Sequence, residues 1–339
     1  MTPTIKDIAK AAGVSFTTVS RALNGYNDVN EETRKKIVRI ANELGYSPNI
    51  AARSLISKKT KTLGLLLSGI TRSSIKDNIA FEILCGMNDR AGELDYDLVL
   101  FNTTSQKQKM KSYKSLCMER GVDGVIIMGI RLDDPYLQEI VQSSIPCVLI
   151  DIPINEKNVG SVSTDNVSGS YTAIEHLIRK GHKNIGMING HAQAYVSVKR
   201  LEGYRLALEE NNLVFREEYV ADGSFAESGG FENAIKLLSK HPEITAIFCA
   251  SDLMAIGAMQ GLKSMGKTVP DDVSIIGFDN IGLSSYCTPS LTTMNQNKYD
   301  MGYRSAQMLI DMLEGRHVHP HISLHAELVE RNSVRPISN

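Results

Sequence analysis

Residues 4–24 read TIKDIAKAAGVSFTTVSRALN, a segment that predicts two short helices separated by a tight turn. Gly13 can adopt the left-handed conformation that ends the first helix, and Ser15 can cap the second. The small side chain of Ala9 lets the helices approach closely, and Val19 packs the second helix against the first. The spacing predicts a helix-turn-helix, although a helical hairpin with a glycine between its helices also occurs without DNA binding.

The charge of the chain is unevenly divided, although the net charge of the 339 residues is only −1. Residues 1–61 carry 11 Lys/Arg and 5 Asp/Glu, a net charge of +6, whereas residues 62–339 carry 26 and 33, a net charge of −7. A basic head on an acidic body indicates a polyanionic partner for the head alone. The alternative is a chance cluster of solvated lysines.

The exposed side of the second predicted helix carries candidate DNA contacts. Phe16, Thr17 and Arg21 lie near its start and on its outward face, as contact with base edges in the major groove requires. Arg21 could pair bidentately with a guanine, and Phe16 could touch a thymine methyl group. We assign Thr18 to phosphate contact or packing.

A third segment, residues 47–57, predicts a helix of about three turns, a length that is marginal for an isolated helix in water. Ser47 can cap it, and Pro48 suits its first position. The segment is either a plain linker or a helix that folds on a partner. In the second case Leu55 is suited to act as an apolar wedge in a minor-groove base step. We therefore divide this part into a head, residues 1–46, and a hinge, residues 47–61.

From residue 62 onward, short apolar strands alternate with amphipathic helices, which predicts parallel sheets covered by helices on both faces. Strands are predicted at 63–67, 98–101, 125–128, 148–150, 185–188, 246–249 and 274–278, and helices at 81–94, 110–120, 136–141, 171–179, 201–211, 231–239 and 254–265. Two runs of such units indicate two doubly wound subdomains with a cleft between them. The predicted fold class is thus a small all-α head plus an α/β core of two parallel-sheet subdomains.

Ligands of open α/β sheets bind at the carboxyl ends of the strands, so polar residues there are binding candidates. These residues are Ser68, Asn102, Asp151, Ser251 with Asp252, and Asp279 with Asn280. A helix cap is the alternative role for each of them. The chain has no Gly-x-Gly-x-x-Gly after a strand, no phosphate-loop lysine and no Gly-x-Ser-x-Gly. The core is therefore predicted to be a binding module, neither an enzyme nor a cofactor carrier.

The cysteines and histidines do not predict a metal site. The five cysteines are scattered and mostly lie among apolar residues, which is typical of buried thiols in a reducing cytoplasm. His317, His319, His321 and His325 fall close together, but Pro320 interrupts the run, and we expect an exposed connection there. The chain has no apolar run that could span a bilayer and no signal peptide at its start, so we expect a cytoplasmic protein.

Taken together, these segments resemble the lactose/galactose repressor (LacI/GalR) family of bacterial transcription regulators, from about residue 4 to residue 335. The resembling motifs are Thr4–Ala9, Val14–Asn24, Tyr46–Asn49, Ala52–Leu55, Val122–Gly124, Asp165–Asn166, Gly181–His182, Arg200–Tyr204, Val269–Ser274, Ile276–Asp279 and Pro289–Thr293. The resemblance implies a periplasmic-binding-protein-like core. We expect its N-subdomain at about 62–160 plus 293–322, and its C-subdomain at about 161–292 plus 323–339.

The resemblance also implies a mechanism. A homodimer would read the half-sites of a palindromic operator, with two hinge helices in the central minor groove. The DNA contacts that it implies are Phe16, Thr17, Thr18, Arg21, Asn24, Ser47, Asn49, Ala52, Arg53 and Leu55. A small effector in the cleft of the core would alter the fit of the hinge on DNA, and effector and operator would then modulate each other's affinity.

The resemblance assigns the effector to Asp151, Arg200, Phe225 and Asp279, and less closely to Ser68, Ser251 and Gln296. Arginine and acids facing a ring of hydroxyls make oriented hydrogen bonds, and an aromatic ring covers the apolar face of a pyranose, which favours a sugar. The purine-binding branch of the family has an arginine in the loop after Gly190, where this chain has His191, Ala192, Gln193, Ala194 and Tyr195. That difference argues against a nucleobase.

The predicted function is therefore repression of sugar-utilisation genes under the control of a small carbohydrate. Alternatively, a regulator of this family could answer to a phosphocarrier protein, a sugar phosphate or a nucleoside. A periplasmic sugar receptor would need a signal peptide and would lack the head. The chain ends without the leucine heptad tail of tetrameric relatives, so we expect a dimer.

Overall fold

The computed structural model describes residues 3–23, 26, 28–46, 59–68, 76, 78–102 and 110–337. The chain divides into two compact units, Met1–Thr60 and Lys61–Asn339. No helix in the described ranges is long and apolar enough to cross a membrane.

The described part of the first unit contains three helices, α1 (Ile5–Ala12), α2 (Phe16–Leu23) and α3 (Glu31–Glu43). Thr4 begins α1 in a capping box, with its main-chain N–H donating to Asp7 Oδ2 at 2.8 Å. Gly13 ends α1 with a φ of 70°, which is the left-handed turn that the sequence predicts. The inward faces of the helices supply a small core made of Ile8, Ala9, Ala12, Val19, Ala22, Ile37, Ile40 and Ala41.

The second unit contains two six-stranded sheets with helices between the strands. The elements in chain order are β1 (Thr62–Leu67), α4 (Ile79–Glu93), β2 (Asp97–Asn102), α5 (Tyr113–Arg120), β3 (Gly124–Met128), α6 (Pro135–Gln142), β4 (Cys147–Ile150), β5 (Val159–Thr164), α7 (Asn166–Arg179), β6 (Ile185–Asn189), α8 (Tyr195–Glu210), a 3₁₀ turn (Glu217–Tyr219), β7 (Val220–Asp222), α9 (Glu227–Lys240), β8 (Ala246–Cys249), α10 (Asp252–Ser264), β9 (Ser274–Asp279), α11 (Gly282–Tyr286), β10 (Thr292–Asn295), α12 (Lys298–Leu313), β11 (His321–Leu324) and β12 (Glu327–Val329).

The strand order is β11-β5-β4-β3-β1-β2 in the first sheet and β12-β10-β9-β8-β6-β7 in the second. The neighbouring strands run parallel, except that β12 is antiparallel to β10. The structure thus confirms the predicted fold class of a helical head and a core of two doubly wound parallel sheets. We call the parts of the core around the first and second sheets the N-lobe and the C-lobe.

The chain crosses between the two lobes three times. The first crossing follows Thr164 at the end of β5, the second follows Asn295 at the end of β10, and the third lies between β11 and β12. The sequence analysis placed these crossings at 160/161, 292/293 and 322/323, a few residues before each of the observed positions. The difference arises because β5, β10 and β11 carry polar residues along strands that the apolar pattern does not reveal.

Helices α4 and α12 pack together at unusually short range in the N-lobe, because each has a glycine at the contact. A methyl group on Gly302 of α12 would lie 1.9 Å from the main-chain oxygen of Ile83, and one on Gly86 of α4 would lie 2.0 Å from that of Tyr299. Backbone atoms cannot yield as a flexible side chain can. These two glycines therefore set the separation of the helices.

We expect Gly302→Ala to lower the free energy of unfolding by about 1–3 kcal/mol or more, because the added methyl group must push α4 away from α12. Gly92→Ala provides the matched control in α4, since a methyl group at Gly92 has no atom within 4 Å. It should raise stability by about 0.5–1 kcal/mol through helix propensity. Urea unfolding of both variants measures the difference, and equal effects would contradict the packing argument.

Candidate DNA-binding surface and effector cleft

The start of α2 presents the predicted DNA-contacting side chains to solvent. Phe16 is 52% exposed although it is a large apolar residue, and Thr17 and Arg21 are also exposed. Phe16 has no place in the core of the head, which is formed from the opposite face of α2. The exposed side of α2 therefore combines an apolar, a hydroxyl and a cationic group, the types of group that read base edges in the major groove.

Arg21 is held by neighbouring residues in the DNA-free head. Its Nη2 lies 2.6 Å from Asp28 Oδ2, and its guanidinium carbon lies 5.3 Å from the centre of the Tyr26 ring. An ion pair between half-exposed side chains contributes about 0.2–1 kcal/mol. A bidentate contact between an arginine and a guanine contributes about 1–3 kcal/mol of base discrimination, which is more than such an ion pair.

The remaining predicted DNA contacts divide into two groups. Thr18 is tied to the start of α2, where its main-chain N–H donates to Ser15 Oγ at 3.0 Å and its hydroxyl lies 2.8 Å from the same oxygen. This fits the packing role proposed for Thr18. The predicted contacts Asn24, Ser47, Asn49, Ala52, Arg53 and Leu55 lie outside the described residues.

In the core, Arg200 is the centre of a buried polar cluster at the carboxyl ends of the strands. Arg200 is only 3% exposed. Its Nε donates to Asn166 Oδ1 at 2.8 Å, and its Nη1 donates to the carbonyl oxygen of Ala250 at 2.5 Å. The same Nη1 lies 3.5 Å from Asp279 Oδ1, and the guanidinium lies over the ring of Phe278 at 3.8 Å. These contacts fix the guanidinium plane at the cleft.

The same cluster connects the two lobes through the crossing segments. Gln296, just after β10, accepts a hydrogen bond from the Thr164 hydroxyl at 2.7 Å and donates to Asp279 Oδ1 at 2.5 Å. Thr164 ends the last strand before the first crossing. The predicted residues Arg200, Asp279 and Gln296 are therefore brought together, and Thr164 and Asn166 complete the cluster.

Asp151, which follows β4, has a carboxyl oxygen that is buried and unpaired. Its Oδ1 has no hydrogen-bond partner among the described residues, and its main chain adopts a φ of 72°. Burial raises the pKa of Asp151 to about 6, against the opposing effect of the Arg200 charge, while the Asp279 charge raises it further. The group therefore changes charge near neutral pH and is open to a hydrogen-bond donor.

Phe225, the aromatic residue predicted to contact the effector, packs against Gly190 and His191, and its role in effector binding stays a prediction. Its ring lies against Gly190, where a methyl group would come within 2.0 Å of Phe225 Cζ. The ring of His191 meets that of Phe225 edge-on, with 5.7 Å between centroids. Ser197 lies beside Gly190, and Ser197 Oγ and His191 Nδ1 are buried without hydrogen-bond partners among the described residues.

Two of the predicted effector-binding residues, Ser251 and Ser68, are not among the residues that form the polar cluster around Arg200 described above. Ser251 caps α10, because its hydroxyl accepts from the main-chain N–H of Met254 at 3.3 Å, the alternative that the sequence left open. Ser68 follows β1, whose separation from β4 by one strand places it about 10 Å from Asp151. Their roles in effector binding stay predictions.

The sequence analysis listed Asp252 as a binding candidate or helix cap, and it did not single out Lys298. Asp252 Oδ2 accepts from the main-chain N–H of Ile281 at 2.9 Å, and its Oδ1 accepts from the Thr293 hydroxyl at 2.5 Å. Burial and the Asp279 charge raise the pKa of Asp252 well above its usual range. Lys298 Nζ donates to the Asp279 carbonyl oxygen at 2.7 Å. Both residues hold the loop after β9, which positions Asp279.

The lobes also touch at the rim of the cleft. The main-chain N–H of Leu132 in the N-lobe donates to the Gln193 carbonyl oxygen in the C-lobe at 2.9 Å. Lys76 forms an ion pair with Glu227 at the start of α9. The cleft is therefore bounded by direct contacts between the lobes.

The described histidines and cysteines do not form a metal-binding group. No cluster of three or more His, Cys, Asp or Glu suited to a metal occurs in the described part of the chain. His321 lies in β11, with Nδ1 2.8 Å from Ser161 Oγ, and the rings of His317 and His319 meet edge-on. All five cysteines are free, and burial raises the pKa of Cys117 to about 11.

The head and the core match known protein families separately. Residues 4–49 match the model described as "Bacterial regulatory proteins, lacI family", and residues 174–334 match "Periplasmic binding protein-like domain". The chain is 36% identical over 338 residues to the HTH-type transcriptional repressor PurR of Actinobacillus pleuropneumoniae serotype 3 (strain JL03), a match that covers 99% of each chain.

Solved structures give the same result. A lac repressor dimer bound to operator and the anti-inducer ONPF matches with a TM-score of 0.82 and 27% identity, covering 99% of this chain and 100% of the other. A complex of the transcriptional regulator CelR with cellobiose matches with a TM-score of 0.76 and 30% identity, covering 98% and 99%.

A helix-turn-helix head joined to a core of this architecture defines a DNA-binding transcriptional regulator. The chain belongs to the LacI family of bacterial regulatory proteins. This confirms the resemblance seen in the sequence, and it confirms the prediction that the protein is a regulator and not an enzyme.

The raised pKa of Asp151 predicts a pH-dependent stability. The carboxyl group keeps its proton up to about pH 6 in the folded state but only up to its ordinary pKa of 3.8 in the unfolded state. The contribution of Asp151 to stability is therefore fully present below pH 3.8 and is lost as the pH rises to about 6. Asp151→Asn should abolish this loss, which is of order 1–3 kcal/mol. The measurement is thermal unfolding of both proteins between pH 4 and 7.5.

Asp95→Asn is the control for this measurement, since Asp95 is exposed and also has a positive φ, which asparagine tolerates. Its stability profile should follow that of the wild type. If the stability of Asp151→Asn also fell with pH as that of the wild type does, Asp151 would not be the titrating group.

Proposed function

We propose that this protein represses sugar-utilisation genes as a homodimer on a palindromic operator, under the control of a small carbohydrate bound in the cleft between the lobes. In this proposal residues 1–46 read the operator and residues 47–61 form the hinge. The observation that carries it is the buried Arg200, which lies 3.5 Å from Asp279 Oδ1 and whose charge acts on Asp151.

The chemistry of the cleft favours a sugar ring. Carboxylates and a guanidinium in fixed positions make charge-assisted hydrogen bonds with neighbouring hydroxyls, and the orientation of each hydroxyl decides whether it fits. An aromatic ring such as that of Phe225 covers the apolar face of a pyranose. The cellobiose-bound relative, CelR, gives independent support.

The contacts of the cleft also suggest how the effector changes DNA binding. The hydrogen bonds from Thr164 through Gln296 to Asp279 join the first and second crossing segments to the candidate effector contacts. A ligand that engages Asp279 changes the same contacts that set the relative position of the lobes. The effector can then favour one arrangement only to the extent that it binds that arrangement more tightly.

We expect Asp279→Asn to retain operator binding but to lose the response to effector. A carboxylate accepts hydrogen bonds at two oxygens, whereas an amide accepts at one oxygen and donates from its nitrogen. A thermal-shift panel of mono- and disaccharides identifies the ligand, and operator anisotropy with and without it measures the response. Asp271→Asn, at an exposed position, should respond normally. A full response in Asp279→Asn would remove Asp279 from the effector site.

For the head, Arg21→Ala should relax base preference at one operator position and cost about 1–3 kcal/mol of specific binding. Binding selection from a randomised duplex library gives the preference of each variant. Arg39→Ala removes the same charge from α3, where Arg39 is paired with Glu43, and should not alter the preferred bases. An unchanged preference in Arg21→Ala would exclude Arg21 from base readout.

A further inference from the structure

The cleft carries an excess of acidic groups over available cations. The positive charge of Arg200 is already shared with Asp279, 3.5 Å away, and its donors serve Asn166 and the Ala250 carbonyl. Asp151 adds a second carboxyl group whose ionisation is influenced by both Arg200 and Asp279. When Asp151 is ionised, one guanidinium faces two carboxylates.

Three further described cations, on Lys298, Lys76 and Arg131, already have acidic partners. Lys298 donates to the Asp279 carbonyl and lies 3.6 Å from Glu82. Lys76 pairs with Glu227, and Arg131 lies 2.9 Å from Asp133. An anionic ligand could pair with one of these three cations only if the cation first left its acidic partner.

Buried polar atoms on Asp151, Ser197 and His191 lack hydrogen-bond partners among the described residues and are suited to uncharged groups. Asp151 Oδ1 requires a hydrogen-bond donor, which a hydroxyl supplies and an ionised carboxylate or phosphate cannot. Ser197 Oγ and His191 Nδ1 are also without partners among the described residues, and Ser197 is only 1% exposed. Ser197 lies one helical turn before Arg200 and therefore shares its side of α8.

We propose that the cleft selects an uncharged, polyhydroxylated ligand and rejects the anionic counterparts of that ligand, namely sugar acids and sugar phosphates. The inference rests on the proposed sugar-binding function and narrows it to one class of sugar. Asp151 is the residue that determines this selectivity. Its open oxygen accepts a ligand hydroxyl, and its charge repels a ligand anion.

The test compares matched pairs of ligands on the full chain at pH 7.5 and physiological salt by isothermal titration calorimetry. The pairs are glucose with glucuronate and glucose 6-phosphate, galactose with galacturonate, and cellobiose with cellobionate. For the pair whose neutral member binds, we expect the anionic member to bind at least tenfold more weakly.

Asp151→Asn should weaken binding of the neutral member and at the same time reduce the ratio between the two members. This double change distinguishes a charge-selecting contact from general damage to the cleft, which would weaken both ligands alike and leave the ratio unchanged. Asp95→Asn serves as the control and should keep both affinities and their ratio.

The outcomes separate this inference from the function on which it rests. An anionic member that binds as tightly as its neutral partner, or an unchanged ratio in Asp151→Asn, overturns the inference and leaves sugar control intact. If no member of any pair binds while operator binding persists, the proposed sugar effector itself is wrong, and the inference fails with it.

Discussion

The polar cluster at the carboxyl ends of the strands depends on the buried guanidinium of Arg200. A guanidinium without partners cannot be removed from water at an acceptable cost, so Arg200 requires the surrounding oxygens of Asn166, Ala250 and Asp279 in fixed positions. Those oxygens come from three different segments of the chain, including the first crossing between the lobes. The need to satisfy one side chain thus fixes several main-chain segments at the mouth of the cleft, before any ligand binds.

That requirement links packing to regulation. The apolar cores of the two lobes form separate clusters, and Tyr195 of the C-lobe packs against the N-lobe core. A movement of one lobe relative to the other would change the polar contacts at the crossings, above all the hydrogen bonds of Gln296 with Thr164 and Asp279. Gly190 complements them, because a methyl group there would clash with the ring of Phe225.

Much of the fold and part of the site could be predicted from the sequence. Buried parallel strands are nearly continuous apolar runs, so their ends, and with them Asp151 and Asp279, could be located from the pattern alone. The ends of polar strands such as β5 and β10 could not be located in this way. The observed crossings therefore lie a few residues after the approximate boundaries expected from the sequence. The pairing of Arg21 with Asp28 and the open oxygens of Asp151 and Ser197 depend on contacts between distant segments, which no local pattern records.

The ion pair of Arg21 with Asp28 has a consequence for the search along DNA. An unpaired arginine on a recognition helix binds any phosphate it meets and slows sliding on unrelated sequence. When the arginine already has a carboxylate partner, exchanging it for a phosphate brings little net gain, whereas a guanine that offers two acceptors gives more. For the base readout proposed for Arg21, this internal partner would lower affinity for random DNA more than affinity for the correct base, so that a surface contact of small energy would contribute to specificity.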